Sequence, residues 1–124
     1  MSTIGADYVR PSAGGTARAL VRGTVAAWAN LNGTGIIALR DSLNISSVVD
    51  AGTGSYRYQL ASVMANDNGS ATAGTFAFAM PSPTVTVQAI TATQVAVTHR
   101  GTTAGSDTLA DALIATVNIM GDLA

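Results

Sequence analysis

The chain has 124 residues and a net charge of −1, enough length for one domain with a modest core. Its six basic residues are all Arg (Arg10, Arg18, Arg22, Arg40, Arg57, Arg100), its seven acids are all Asp, and half of the chain is Ala, Thr, Gly or Ser. The charge balance excludes nucleic-acid binding driven by counterion release, and the sequence has no apolar run of about 18 residues that could cross a membrane as a helix.

Residues 1–17, which include Pro11 and Ser12–Ala13–Gly14–Gly15–Thr16, have no periodicity and read as an extended N-terminal arm. The remainder, 18–124, reads as one β domain. From Arg18 the pattern alternates, with Val21, Val25, Ala27, Ala29 and Leu31 on one face and Arg22, Thr24, Trp28 and Asn30 on the other. Asn32–Gly33–Thr34–Gly35 stops it, since Asn-Gly suits the left-handed backbone of a tight hairpin. One long strand is predicted next, from Ile36 to Val49, bent near Asp41–Ser42 because it exceeds the usual strand length. Asp50–Ala51–Gly52–Thr53–Gly54 is a second glycine turn, followed by a strand in which Tyr56, Tyr58 and Leu60 alternate with Arg57 and Gln59.

Residues 65–74 read as a polar loop, and Phe76, Phe78 and Met80 as a strand that ends at Pro81–Ser82–Pro83. Thr84–Ile90 and Thr93–His99 form a predicted hairpin joined near Thr91–Ala92, with a loop over Gly101–Ser106. In Leu109–Met120 a helical face (Leu109, Leu113, Met120) competes with strand alternation (Leu113, Ala115, Val117, Ile119), and consistency with the preceding strands favours the strand. Short strands separated by turn signals predict an all-β, antiparallel sandwich or barrel-like domain.

The stretch Ala26–Ala27–Trp28–Ala29–Asn30–Leu31–Asn32–Gly33–Thr34–Gly35, continued by Arg40–Asp41–Ser42–Leu43–Asn44–Ile45–Ser46–Ser47 and by Asp50–Ala51–Gly52–Thr53–Gly54–Ser55–Tyr56, resembles a domain of phage tail-fibre proteins. That domain opens K-A-W-V-N-F-N-G-T-G and goes on I-R-x-S-x-N-V-S-S-I-x-D-x-G-T-G-x-Y. Ala112–Asp122 resembles its closing strand. The likeness is close over residues 26–65 and weak beyond. Ala26 stands where the family has Lys, and no aromatic follows Met64–Ala65–Asn66. The resemblance implies a surface module of a tailed-phage virion, usually trimeric, without a catalytic motif. Such modules occur at fibre tips that bind host glycans or proteins.

The composition suits that setting. Lys and Glu normally keep a solitary protein soluble. A surface lacking both is cheap in side-chain entropy to bury, and interface cores favour Arg over Lys, Glu and Asp; a compositional bias of a GC-rich genome is the alternative explanation, and the two are compatible. No shaft precedes the domain in this sequence, which predicts either a knob fixed to the particle, as in a capsid decoration (cement) protein, or a tip mounted on a tail-fibre protein.

Candidate sites are few. His99 is the sole histidine, and no Ser or Asp partner for general-base catalysis is singled out, so an ordinary surface or interface residue is expected. One His and no Cys exclude a nitrogen- or sulfur-ligated metal site and a disulfide scaffold. Asn66–Asp67–Asn68–Gly69 has oxygen ligands but not the EF-hand spacing, and a turn is expected. Asn32, Asn44 and Asn68 begin Asn-x-Ser/Thr triplets, but Met1–Tyr8 lacks an export signal, so these are expected to be chance matches in a protein made in the host cytoplasm. Asn32, Gly33, Gly35, Asp50, Gly52 and Gly54 are predicted hairpin residues, not a phosphate cradle. Trp28, Tyr56 and Tyr58 are the candidate aromatic patch, either a sugar platform or packing in the core or between subunits. The expectation is therefore a non-enzymatic homotrimer on the virion surface without cofactor, metal, nucleic acid or membrane insertion. Its partners would be the major capsid protein or a tail-fibre protein, with a host surface glycan as a further candidate. A carbohydrate-binding module outside any virus is a remote alternative.

Overall fold

The structure is a computed structural model and describes residues 8–9, 18–19, 25–76, 83–103 and 105–124. The expected arm (1–17) and the expected strand positions Val21, Arg22, Thr24, Phe78 and Met80 lie outside these residues, apart from two short strands, β1 (Tyr8–Val9) and β2 (Arg18–Ala19), which pair with each other. The rest is an antiparallel sandwich, as the alternation predicts. The strands are β3 (Ala27–Asn32), β4 (Ala38–Leu43), β5 (Ile45–Asp50), β6 (Ser55–Leu60), β7 (Ser70–Phe76), β8 (Thr84–Ile90), β9 (Gln94–Thr103), β10 (Ser106–Leu109) and β11 (Ile114–Met120). The first sheet has the order β4-β3-β11-β7; the second has β10-β9-β6-β5, with β8 on the other edge of β9.

The core lies between the sheets and depends on a difference in side-chain size. The first sheet turns Ala27, Ala29, Leu31, Ala115, Val117 and Ile119 inward, and the second turns in Tyr56, Tyr58, Leu60, Val95 and Val97, all buried. Alanines on one sheet leave the volume that tyrosines on the other fill, as close packing requires. Fully burying a side chain the size of Leu31 or Ile119 contributes about 1.5–3 kcal/mol.

Four expectations are corrected. Ile36–Val49 is two strands in different sheets, and the break is at Asn44 rather than Asp41–Ser42. Asn44 has φ 56°, a left-handed conformation that Asn tolerates better than most residues. Its side chain holds the crossing: Nδ2 donates to the carbonyls of Ala26 (3.1 Å) and Ser62 (3.0 Å), and Oδ1 accepts from the Ser62 amide (2.6 Å). Residues 70–74 are strand, not loop, because β7 pairs with β11 along its whole length and so overrides the weak strand propensity of Ala71, Ala73 and Gly74. Gly101–Ser106 is likewise not a loop: β9 runs on to Thr103 and turns into β10 with Gly105 at φ 83°. At Asn32–Gly35 the connection is longer than a tight Asn-Gly hairpin, since β4 begins at Ala38, and the left-handed residue is Gly35 (φ 64°), not Gly33.

Candidate functional site

The two glycine turns singled out in the sequence converge at one end of the sandwich, over the Tyr56 hydroxyl. That hydroxyl lies 2.8 Å from the Gly33 carbonyl oxygen and 3.2 Å from Asp111 Oδ1, and donates to them. Asp111 Oδ1 also accepts from the Gly54 amide at 2.7 Å. Gly33 donates its own amide to Ala112 (2.9 Å), Gly54 accepts from the His99 amide (2.7 Å), and Ala110 donates to the His99 carbonyl (3.1 Å). The β3–β4 loop, the β5–β6 turn and the crossover from β10 to β11 are thus tied into one latch spanning both sheets.

The two glycines are required for different reasons. A Cβ on Gly33 would run into the Tyr56 hydroxyl and sit 2.8 Å from the Ala112 oxygen. Gly54 has φ 64°, and a Cβ there would sit 2.5–2.6 Å from the backbone oxygens of His99 and Ala110. Gly35 and Gly52 (φ 119°) need the left-handed backbone but face open space. Asp50 Oδ1 accepts from the Gly52 amide at 3.0 Å, an Asx turn that starts the β5–β6 connection. Asn32 ties the other loop: its Oδ1 accepts from the Thr34 hydroxyl (2.9 Å) and amide (3.4 Å), and its Nδ2 donates to the Thr34 carbonyl (3.2 Å).

His99 is the main departure from expectation. It is not a surface residue at a strand end but a fully buried one within β9, on the inward face with Val95 and Val97. Its ring lies 5.5 Å from that of Tyr56, and neither nitrogen has a hydrogen-bond partner among the described residues. The extension of β9 past residue 99, missed in the sequence, is what buries it. Burial lowers its pKa to about 4, so the imidazole is neutral near pH 7. Burial, followed by the Asp111 carboxylate, pushes Tyr56 up to about 12. Burial also raises Tyr58, whose hydroxyl is buried without a partner.

Of the two uses expected for Trp28, Tyr56 and Tyr58, core packing holds for the two tyrosines, and the three rings form no shared platform. Tyr56 and Tyr58 are fully buried in the second sheet, and Trp28 is half-buried on the outer side of the first. The outer side of the first sheet is nonetheless distinctive. A row Leu43–Trp28–Asn118–Thr72 crosses its four strands, with Asp41–Asn30–Thr116–Gly74 beside it and Ile114 opposite Phe76. Leu43, Phe76 and Met120 are each about half exposed here. The charged side chains belong to the edge strand β4: Asp41, and Arg40, whose guanidinium donates to the Leu31 carbonyl at 2.9 Å and to Asn30 Oδ1 at 3.4 Å. The outer side of the second sheet instead carries Arg57 and Arg100 among Thr and Ala, with Arg100 3.8 Å from Asp107.

At the opposite end of the sandwich, Asn66, Asn68, Ser70, Met120, Gly121 and Asp122 line an open cleft of about 350 Å³. Its floor is tight: a Cβ on Gly121 would lie 2.7 Å from the sulfur of the buried Met64. Asn66–Gly69 is a turn, as expected, with Asn66 Oδ1 accepting from the Asn68 amide at 2.9 Å and Asp67 Oδ1 accepting from the Ala92 amide. Among the described residues no three His, Cys, Asp or Glu side chains gather as metal ligands. In comparison with protein-family models, curated proteins and solved structures, nothing matches the chain.

Proposed function

We propose that this chain is a non-enzymatic structural protein of a tailed-phage virion, a homotrimeric knob that decorates and reinforces the capsid. The observation that carries this reading is the outer side of the first sheet. Its central strands present Trp28, Ile114, Asn30, Asn118 and Thr116, with no ionised group among them. Short polar side chains lose little entropy when buried, and aromatic enrichment with charge depletion is the composition of interface cores. The absence of Lys and Glu throughout supports the same reading, as does the resemblance of residues 26–65 to a virion surface domain.

A receptor-binding tip of a tail fibre is the second reading, favoured because the resembled domain is a fibre module. Copy number separates the two. Quantitative mass spectrometry of purified virions against the major capsid protein should find copies in the hundreds for a decoration protein. A few to about twenty would place the chain on the tail, and absence would remove the virion reading. Sedimentation of the isolated protein should give a trimer. Replacing Trp28 and Leu43 together with Asp should yield folded monomers; a variant that stays trimeric would move the interface elsewhere.

A further inference from the structure

The chain contains two Asn–Gly steps, Asn32–Gly33 and Asn68–Gly69, and the structure treats them differently. Asn-Gly is the dipeptide most prone to spontaneous deamidation, because glycine leaves its backbone nitrogen free to reach the preceding side chain. The reaction needs that nitrogen unengaged and the Asn carboxamide free to rotate.

At the latch, both requirements fail. The Gly33 amide donates to Ala112 at 2.9 Å, and Gly33 is buried against the Tyr56 hydroxyl. The Asn32 carboxamide is held through both of its polar atoms by Thr34, and Arg40 adds a contact at 3.5 Å from Oδ1. At the cleft, both are met. Asn68 is exposed, and among the described residues its backbone amide alone is engaged (by Asn66 Oδ1) while its side chain makes no hydrogen bond. Among the described residues the Gly69 amide has no backbone partner, since the ladder with β11 starts only at Ser70, opposite Met120.

We infer that Asn68–Gly69 is a site of spontaneous deamidation in the folded protein and that the fold protects Asn32–Gly33. The Gly69 nitrogen attacks Cγ of Asn68 and forms the succinimide N–C bond; the carboxamide nitrogen departs as ammonia, carrying the proton lost from the Gly69 amide. Water then opens the ring at either carbonyl, giving aspartate or isoaspartate at position 68. The product places a second carboxylate on the wall of the cleft that Asp122 already lines. A neutral–acidic cleft becomes an acidic one as the protein ages, and the isoaspartate form also adds a backbone atom just before β7. This inference does not depend on the virion reading.

The test is peptide mapping by mass spectrometry of the folded protein, incubated for days at mildly alkaline pH. Cleavage after Arg places the two sites in separate peptides, 23–40 and 58–100, so one reports against the other. Conversion should accumulate at Asn68 while Asn32 stays intact, and in urea both should convert. The variant Asn68→Gln should abolish the acidic species on ion exchange. Equal conversion at the two sites in the folded protein would overturn the inference. So would an intact Asn68 over a time in which the denatured chain converts.

Discussion

The two ends of the sandwich begin from similar sequence, an Asn–Gly step among small polar residues, and finish as opposite kinds of structure. At the latch end, Gly33 meets the Tyr56 hydroxyl, Gly54 meets the Asp111 carboxylate that the same hydroxyl contacts, and three connections between strands share one hydrogen-bonded cluster. At the cleft end, Asn66–Gly69 forms an Asx turn that Asp67 anchors to the Ala92 amide, and Asn68 faces solvent. The difference lies in what arrives from elsewhere in the chain. The latch is met by Tyr56, 23 residues from Gly33, and by Asp111, 55 residues from Tyr56; at the cleft the long-range contacts fall on Asp67, which accepts from the Ala92 amide, and on Gly69, which packs against Met64 and Met120, rather than on the Asn68 side chain. The same dipeptide is a structural keystone or an exposed turn according to its long-range partner.

The largest effect should come from breaking the latch at Gly54. Gly54→Ala combines left-handed backbone strain of about 1–2 kcal/mol with overpacking of about 1–3 kcal/mol, because the atoms it meets are backbone oxygens of His99 and Ala110 that cannot swing away. Gly35→Ala has the same φ of 64° but open space around it, so only the strain applies. Urea midpoints should fall two- to threefold further for Gly54→Ala at an unchanged slope. Equal losses would mean that the latch contributes no packing constraint.

Acid should attack the same end through His99. Its folded pKa is about 4, against about 6.5 in an unfolded chain. Below pH 6.5 the unfolded state therefore binds a proton that the folded state refuses. Stability from this group is intact above pH 6.5, is lost as pH falls from 6.5 toward 4, and changes no further below that; the full loss is about 3 kcal/mol. No carboxylate offsets it, since burial is the sole cause of the shift, and Asp111 is already engaged by Gly54 and Tyr56. Unfolding free energies measured between pH 7 and 4 should show this slope in the native chain and lack it in His99→Leu. If His99→Leu retains the slope, burial of the imidazole is not its origin.

How much of this was legible in the sequence follows from the range over which each cause acts. Period-two alternation groups residues by face, so β3, β6, β8 and β11 and the shared faces Ala27–Ala29–Leu31 and Ala115–Val117–Ile119 could be read directly, whereas whether Tyr56 and Tyr58 pack in the core or form a platform could not. The glycine turns were legible as turns, but their convergence on Tyr56 and Asp111 was not, because it joins residues across most of the domain. β7 was invisible as a strand from Ser70 to Gly74, since Ala and Gly carry little propensity and its existence depends on pairing with β11. His99 was misplaced for a related reason: a Gly-Thr run after it read as loop, whereas β10 pairs with that run and continues the strand. A His in phase with Val95 and Val97 was the available signal of burial.

Two hydroxyls on β6 distinguish the latch from the adjacent core. Tyr56→Phe removes the donor to Gly33 and leaves a buried carbonyl unpaired, at a cost of about 1–2 kcal/mol. Tyr58→Phe removes a buried hydroxyl that has no partner, so it should be neutral or stabilising by up to about 1 kcal/mol. Opposite signs in parallel denaturation curves are the expected result. A loss at Tyr58 as large as that at Tyr56 would mean that water satisfies the Tyr58 hydroxyl inside the sandwich.

The smallest effect returns to the paired Asn residues. Asn32→Ala deletes an acceptor that takes the Thr34 hydroxyl and amide and a donor to the Thr34 carbonyl. These groups are partly buried, so the loss should be about 1 kcal/mol. Asn68→Ala deletes a side chain with no bond, while the turn's own contact, Asn66 Oδ1 to the residue 68 amide, runs through the backbone and survives. Its effect should stay within about 0.5 kcal/mol, the usual range for a surface change away from a special feature. A larger loss at Asn68 than at Asn32 would mean that the cleft wall, and not the latch loop, is the more tightly held end, and the assignment of Asn68 as the freely rotating carboxamide would fall with it.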